Sequence, residues 1–182
     1  MAKHILFIHG GGEGAYAEDQ KLVASLHTLL GPAYQMTYPQ MPDEHSPSYD
    51  AWKVTILQLL SEAPMTLIVG HSFGASIVLK VLSETADVNN VAGLFLIATP
   101  YWRASDWEVD EYALAEEFAS KLPEVPLFLY HSKDDEIVPF THFALYAEKL
   151  PQAILREVDG RGHQFNNDLH EVAEDIEFIQ TK

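Results

Sequence analysis

Short apolar runs that alternate with helix-period stretches constrain this chain more than any other feature it carries. The runs fall at His4–Ile8, Tyr34–Tyr38, Met65–Val69, Val91–Ala98, Val125–His131 and Ala153–Val158. Most are nearly continuous in apolar residues, the pattern of strands buried on both faces of a parallel sheet. Between them, Leu22, Leu26, Leu29 and Leu30 follow an i, i+4, i+7, i+8 spacing, and Gly31-Pro32 stops that helix. Trp52, Ile56, Leu59 and Leu60 repeat the spacing ahead of Pro64. Ala75, Val78, Leu79 and Leu82 mark another inner face, as do Phe140, Phe143, Ala144 and Ala147, and lastly Leu169, Val172, Ala173 and Ile176. Strands alternating with single helices make βαβ units, whose right-handed crossovers place helices on both faces of the sheet. The expectation is a three-layer α/β fold with a mostly parallel six-stranded sheet. A chain of 182 residues accommodates one such domain, over residues 1–182, and not two.

Residues 101–121 break the rhythm. They begin just beyond a strand end, where open α/β sheets place ligands, and carry Trp102, Trp107 and a run of acids. Two readings stand: a short cap over a site, or a solvated helix with a long lead-in.

Gly70-His71-Ser72-Phe73-Gly74 follows the third apolar run and precedes a helical pattern, the strand–turn–helix setting of a nucleophile elbow. On so tight a turn the serine backbone is strained, and side chains two positions either side would collide with the neighbouring strand and helix. Ser72 then projects its hydroxyl above the sheet at a helix N-terminus, whose dipole favours a developing oxyanion. An ordinary glycine-rich turn is the plainer alternative.

His9-Gly10-Gly11-Gly12 directly follows the first run. Acyl transfer to serine needs two backbone N–H donors aimed at the carbonyl oxygen in its tetrahedral state. Phe73 supplies one, and Gly11, with Gly12 as the alternative, supplies the other; His9 shapes the loop by hydrogen bonding. Gly10-x-Gly12-x-x-Ala15 also fits a dinucleotide-binding loop, but the second run ends Tyr38-Pro39-Gln40, without the acid that would hold a ribose.

A serine hydroxyl also needs a base, and the base an orienting acid. Asp134-Asp135-Glu136-Ile137-Val138-Pro139 follows the fifth run and Gly160-Arg161-Gly162-His163 the sixth, so both lie at the same sheet edge as Ser72. Adjacent residues in an extended turn point opposite ways. Asp135 then shares the inward side of Ile137 and faces His163, while Asp134 faces solvent. Partnership with Asp135 is expected to raise the His163 pKa above about 6.5, placing a rate limb at or slightly above neutrality. The remaining histidines, His4, His27, His45, His131, His142 and His170, read as exposed or structural.

The three segments Gly70–Gly74, Asp135-x-Ile137-Val138-Pro139 and Gly162-His163 resemble the signature segments of α/β-hydrolases. With the short length and no large cap, the whole chain is similar to the small serine hydrolases of the RBBP9/YdeN type. The resemblance implies a cofactor-free hydrolase acting on an ester or related acyl bond, and it too selects Asp135. The lipase-like esterases are not implied, since the glycine run lacks their partner features. Tyr16, Tyr101, Trp102 and Trp107 are candidates to line an apolar acyl or alcohol pocket. A thioesterase, an aminopeptidase and a catalytically idle interaction module remain as alternatives.

Composition narrows the chemistry further. Eleven basic against 27 acidic residues leave a net charge of −16, which disfavours nucleic acid and anionic membranes and leaves small neutral or cationic molecules as substrates. The absence of cysteine excludes disulfides, thiolate-bound zinc, iron–sulfur clusters and a thiol nucleophile. No H-E-x-x-H or similar spacing points to a metal. The apolar run after Met1-Ala2-Lys3-His4 is too short for a signal peptide, so the expected location is cytoplasmic.

Overall fold

The computed structural model describes residues 3–180 apart from 87, 105 and 106. The six apolar runs form β1 Lys3–Ile8, β2 Tyr34–Thr37, β3 Thr66–His71, β4 Val91–Ile97, β5 Leu127–Ser132 and β6 Ile154–Val158. They make one sheet in the order β2-β1-β3-β4-β5-β6, and every neighbouring pair is parallel. The helices are α1 Ala15–Leu30, α2 Tyr49–Glu62, α3 Ser72–Glu84, α4 Phe118–Lys121, α5 Thr141–Lys149 and α6 His170–Gln180.

Strand side chains alternate between the two faces, and each face has its own core. Ile5, Phe7, Leu67, Val69 and Phe95 pack under α1 and α6, which contribute Leu22, Leu26, Val172 and Ile176. Leu6, Ile8, Ile68, Leu94 and Leu96 pack under α2, α3, α4 and α5, which contribute Trp52, Ile56, Leu79, Phe118 and Tyr146. The central strands are buried at nearly every position. The edge strand β6, beyond which no strand lies, instead exposes Ile154 and Leu155.

Two expectations need correction. The inner face of α5 is His142, Phe143 and Tyr146, and Ala144 is exposed. The larger side chains take the core side because they have partners there: Tyr146 donates to the Pro100 carbonyl at 2.9 Å, and His142 Nδ1 accepts the Tyr101 N–H at 2.9 Å. The described residues of 101–121 form neither a projecting cap nor a long solvated helix. They make a series of turns and the single-turn α4, packed on the outer side of α3. The Trp102 indole donates to Ser76 Oγ at 2.8 Å and Lys80 to the Ala113 carbonyl at 2.8 Å. Covered on both sides, α3 is buried continuously from Phe73 to Ser83, which explains its apolar character all round.

Sequential order reverses between β1 and β3: the chain moves outward from β1 to β2, then crosses back to β3 and on to β6. A crevice for ligands opens at such a switch, outside the carboxyl ends of the strands. Both glycine-bearing loops leave the sheet there. No helix among the described residues is long and apolar enough to cross a membrane.

Candidate active site

Ser72 stands where β3 turns into α3, with φ at +51°, a left-handed conformation that strains any residue bearing a Cβ. The flanking glycines are required by contact. A Cβ at Gly70 would lie 2.7 Å from Ala75 Cα, and one at Gly74 would lie 2.2 Å from the His9 carbonyl oxygen. Strand, turn and helix therefore close up around a raised serine.

Ser72 Oγ donates to His163 Nε2 at 3.0 Å, and His163 Nδ1 donates to Asp135 Oδ2 at 2.9 Å. This is the hydrogen-bonded order that moves a proton off a serine hydroxyl. Asp135 Oδ1 also accepts the N–H groups of Ile137 and Val138 at 2.9 and 2.8 Å, and His131 Nε2 lies 3.3 Å from Oδ2. Its side chain is fully buried, yet these donors hold the carboxylate ionised far below the ordinary range. Its inward aim does not come from sharing a side with Ile137, which is 54% exposed; Val138 is the buried neighbour. The turn is curled by its Asx hydrogen bonds, so strict alternation does not hold within it.

Asp134 is exposed, as expected, but it is not idle. It accepts the N–H groups of Arg161 and Gly162 at 3.2 and 3.1 Å as well as the Ser132 hydroxyl, and so ties the His163 loop to the turn after β5. Glu136 accepts the His163 N–H at 3.1 Å. Arg161 secures the far side of the loop through Glu171 and the Asp168 carbonyl.

In the first glycine loop, Gly10 N–H donates to Asp19 at 2.8 Å and Gly12 N–H to the Glu44 carbonyl at 2.6 Å. Those bonds remove Gly12 as a donor to substrate. The Gly11 and Phe73 N–H groups have no partner among the described residues, and Gly11 lies against the Phe73 side chain, where a Cβ would meet Cγ at 3.0 Å. His9 holds the loop: its Nδ1 donates to the Gly10 carbonyl at 2.6 Å and its Nε2 accepts the Met41 N–H at 2.9 Å. Burial keeps it neutral, below the usual histidine value.

Four groups to which the sequence reading gave no part in the site, His131, His71, Asp19 and Gln164, belong to this cluster. His131 braces Asp135. His71, within the elbow itself, pairs with Asp19 of α1 at 2.8 Å, and Gln164 donates to the same carboxylate at 2.7 Å. The position of His71 beside Ser72 is a local signal; nothing local marks Asp19, whose partner lies 52 residues away. For His163, burial outweighs the pull of Asp135 and lowers the pKa from 6.5, opposite to the expected direction.

A cleft of about 330 Å³ opens beside Ser72 and His163, walled by the glycine loop, Glu13, Glu18 and Ile137. Tyr16, Tyr101, Trp102 and Trp107 do not line it. Tyr16 stacks on Tyr38 at 4.7 Å, and Tyr101 packs on Tyr146. Trp102 lies behind Phe73 and against Tyr112, and Trp107 contacts Trp102 and His142. Each of the four is half-buried against neighbouring rings. Among the described residues no set of three acids or histidines could hold a metal ion.

The fold is shared with several solved structures. The ydeN gene product from B. subtilis superposes with a TM-score of 0.73 at 21% identity, covering 100% of both chains. Est1E from Butyrivibrio proteoclasticus, bound to ferulic acid, gives 0.74 at 16% identity over 99% of this chain and 89% of that one. A YdeN-like hydrolase from Pectobacterium atrosepticum gives 0.66 at 18% identity, over 98% and 92%. No curated protein matches the sequence. A family model described as serine hydrolase matches residues 26–176, and the chain belongs to that serine hydrolase family.

Proposed function

We propose that this hydrolase cleaves a small ester or related acyl bond by two-step acyl transfer, with Ser72 as nucleophile, His163 as base and Asp135 as its orienting acid. The observation that carries the reading is the unbroken chain from Ser72 Oγ through His163 to Asp135, beside two unpartnered N–H groups. Ser72 Oγ bonds to the carbonyl carbon while its proton passes to His163 Nε2. The carbonyl oxygen becomes an oxyanion held by Gly11 and Phe73 N–H, and collapse of the intermediate expels the alcohol, which takes the proton from His163. Water then repeats the sequence on the acyl-enzyme and frees the acid. No cofactor enters any step.

Glu13 and Glu18 on the cleft wall, together with the net charge of −16, favour neutral or cationic substrates over anionic ones. A fluorophosphonate probe is expected to label the wild type and leave a folded Ser72→Ala variant unlabelled; equal labelling of both would remove the triad. A panel of p-nitrophenyl esters, acyl thioesters and aminoacyl amides then separates esterase, thioesterase and aminopeptidase activity. Failure to label the wild type would favour an idle interaction module.

A further inference from the structure

Asp19 is a buried carboxylate that the acyl-transfer steps do not use, and its contacts are unusually placed. It accepts from Gly10 N–H at 2.8 Å, from His71 Nδ1 at 2.8 Å and from Gln164 Nε2 at 2.7 Å. Those three residues are the chain neighbours of Gly11, Ser72 and His163. One acid on α1 therefore ties together the supports of oxyanion donor, nucleophile and base.

The protonation of His71 follows from its partners. Nδ1 faces the Asp19 carboxylate, and Nε2 lies 3.1 Å from the His163 carbonyl oxygen. Both partners only accept, so the ring satisfies both as an imidazolium. His9 differs, since its Nε2 receives a donor. The His71 and His163 rings lie 4.9 Å apart. The groups facing His71 are Asp19 from α1, His9 at the end of β1, Asp135 after β5, and His163 with Gln164 after β6.

We propose that Asp19 and His71 form a charged positioning pair, with His71 an imidazolium that holds His163 by its carbonyl and opposes protonation of its ring. The pair rests on the triad assigned above and acts through it. The two side chains are 2% and 3% exposed, so neither meets substrate directly. Burial disfavours the His71 charge, but the Asp19 carboxylate and the His163 carbonyl outweigh it and raise the pKa. Asp19, buried as well, is held at about 2 chiefly by the His71 charge. For His163, the nearby His71 charge adds to burial in lowering the pKa.

The test is the rate of fluorophosphonate labelling against pH in wild type, Asp19→Asn, His71→Gln and Ser72→Ala, with folding checked by circular dichroism. Losing the imidazolium raises the His163 pKa. The acid limb is expected to move up by about one pH unit in His71→Gln and by less in Asp19→Asn, where the acid that opposes the effect is also gone. At pH values below the limb, labelling should drop about tenfold, the change that a one-unit shift carries, and at neutral pH by no more than a few-fold. Unmoved limbs in both folded variants, with Ser72→Ala unlabelled, overturn the pair and leave the triad standing. Full labelling of Ser72→Ala overturns both. Should either variant fail to fold, ¹⁵N spectra of the wild-type histidines decide: a doubly protonated His71 at pH 7 supports the pair, and a neutral ring overturns it.

Discussion

At Ser72, His163 and Asp135 the decisive distances are single hydrogen bonds, and single substitutions should report on them. Asp135→Asn keeps the shape of the acid but favours the wrong imidazole tautomer, and turnover should drop on the order of 10⁴-fold. The bonds from Ser132, Arg161 and Gly162 all converge on Asp134 Oδ1, an acceptor that Asn retains. Asp134→Asn should therefore stay within about tenfold of wild type, as for a screened surface charge. Asp134→Ala frees the Arg161–Gly162 backbone and should cost more than Asp134→Asn. Steady-state kinetics on a p-nitrophenyl ester settles the order, and a crippled Asp134→Asn would reverse the assignment. The pH profile is equally specific. Burial holds the His163 pKa below 6.5, so the ring is already neutral at pH 7 and, with His163 as the proposed base, the rate should fall only as pH drops below 6.5. A limb centred above 7 would contradict that direction.

Elements meet most tightly where β1, β3 and α3 converge. The close approach of α3 to the end of β1 depends on Gly74, because a Cβ there overlaps the His9 and Ile8 carbonyl oxygens at 2.2 and 2.7 Å. Backbone atoms cannot swing aside, so Gly74→Ala must push the helix from the strand and should destabilise by on the order of 3 kcal/mol. Gly160 is a useful contrast. Its φ is +69° but no atom lies within 4 Å of an added Cβ, so Gly160→Ala costs only the conformational strain, about 1–2 kcal/mol. Urea midpoints for the two variants test the ranking, and equal losses would show that steric overlap at Gly74 is relieved elsewhere.

For the whole molecule, a net charge of −16 means self-repulsion at pH 7 that eases as pH falls toward the pI near 4.7. Paired carboxylates work the other way. Asp19 titrates at about 2 against 3.8 and Glu84 at about 2 against 4.5, burial being outweighed by their hydrogen-bonded cations. A depressed carboxylate stabilises fully above its unfolded value and loses that contribution as pH falls through the folded one. The raised pKa of His71 contributes below 6.5 and is lost as pH rises past its folded value. His9 and His163, lowered by burial, oppose the His71 contribution below 6.5, so the sharp expectation lies on the carboxylate side: thermal melts followed by circular dichroism should show a steep decline below about pH 4. A melting temperature still rising at pH 3 would contradict the carboxylate pairings.

Chain order and local pattern by themselves determined the strand–helix alternation, the single parallel sheet and the residues at its carboxyl edge. Apolar runs and glycine spacing are short-range signals, and the strain at Ser72 is written into five consecutive residues. Within that frame the hydrogen-bonded chain Ser72–His163–Asp135 was legible, because Ser72 directly follows β3 while Asp135 and His163 lie in the loops just beyond β5 and β6. Tertiary structure decided what depends on approach between distant segments. Gly12 was removed as a donor by Glu44, Asp134 became a loop tie through Arg161 and Gly162, and the four candidate pocket aromatics were claimed by neighbouring rings. The direction of the His163 pKa shift and the Asp19–His71 pair belong to the same class. Burial and long-range charge arise only when α1, β3 and the loop after β6 pack together, and no window of the sequence contains all three.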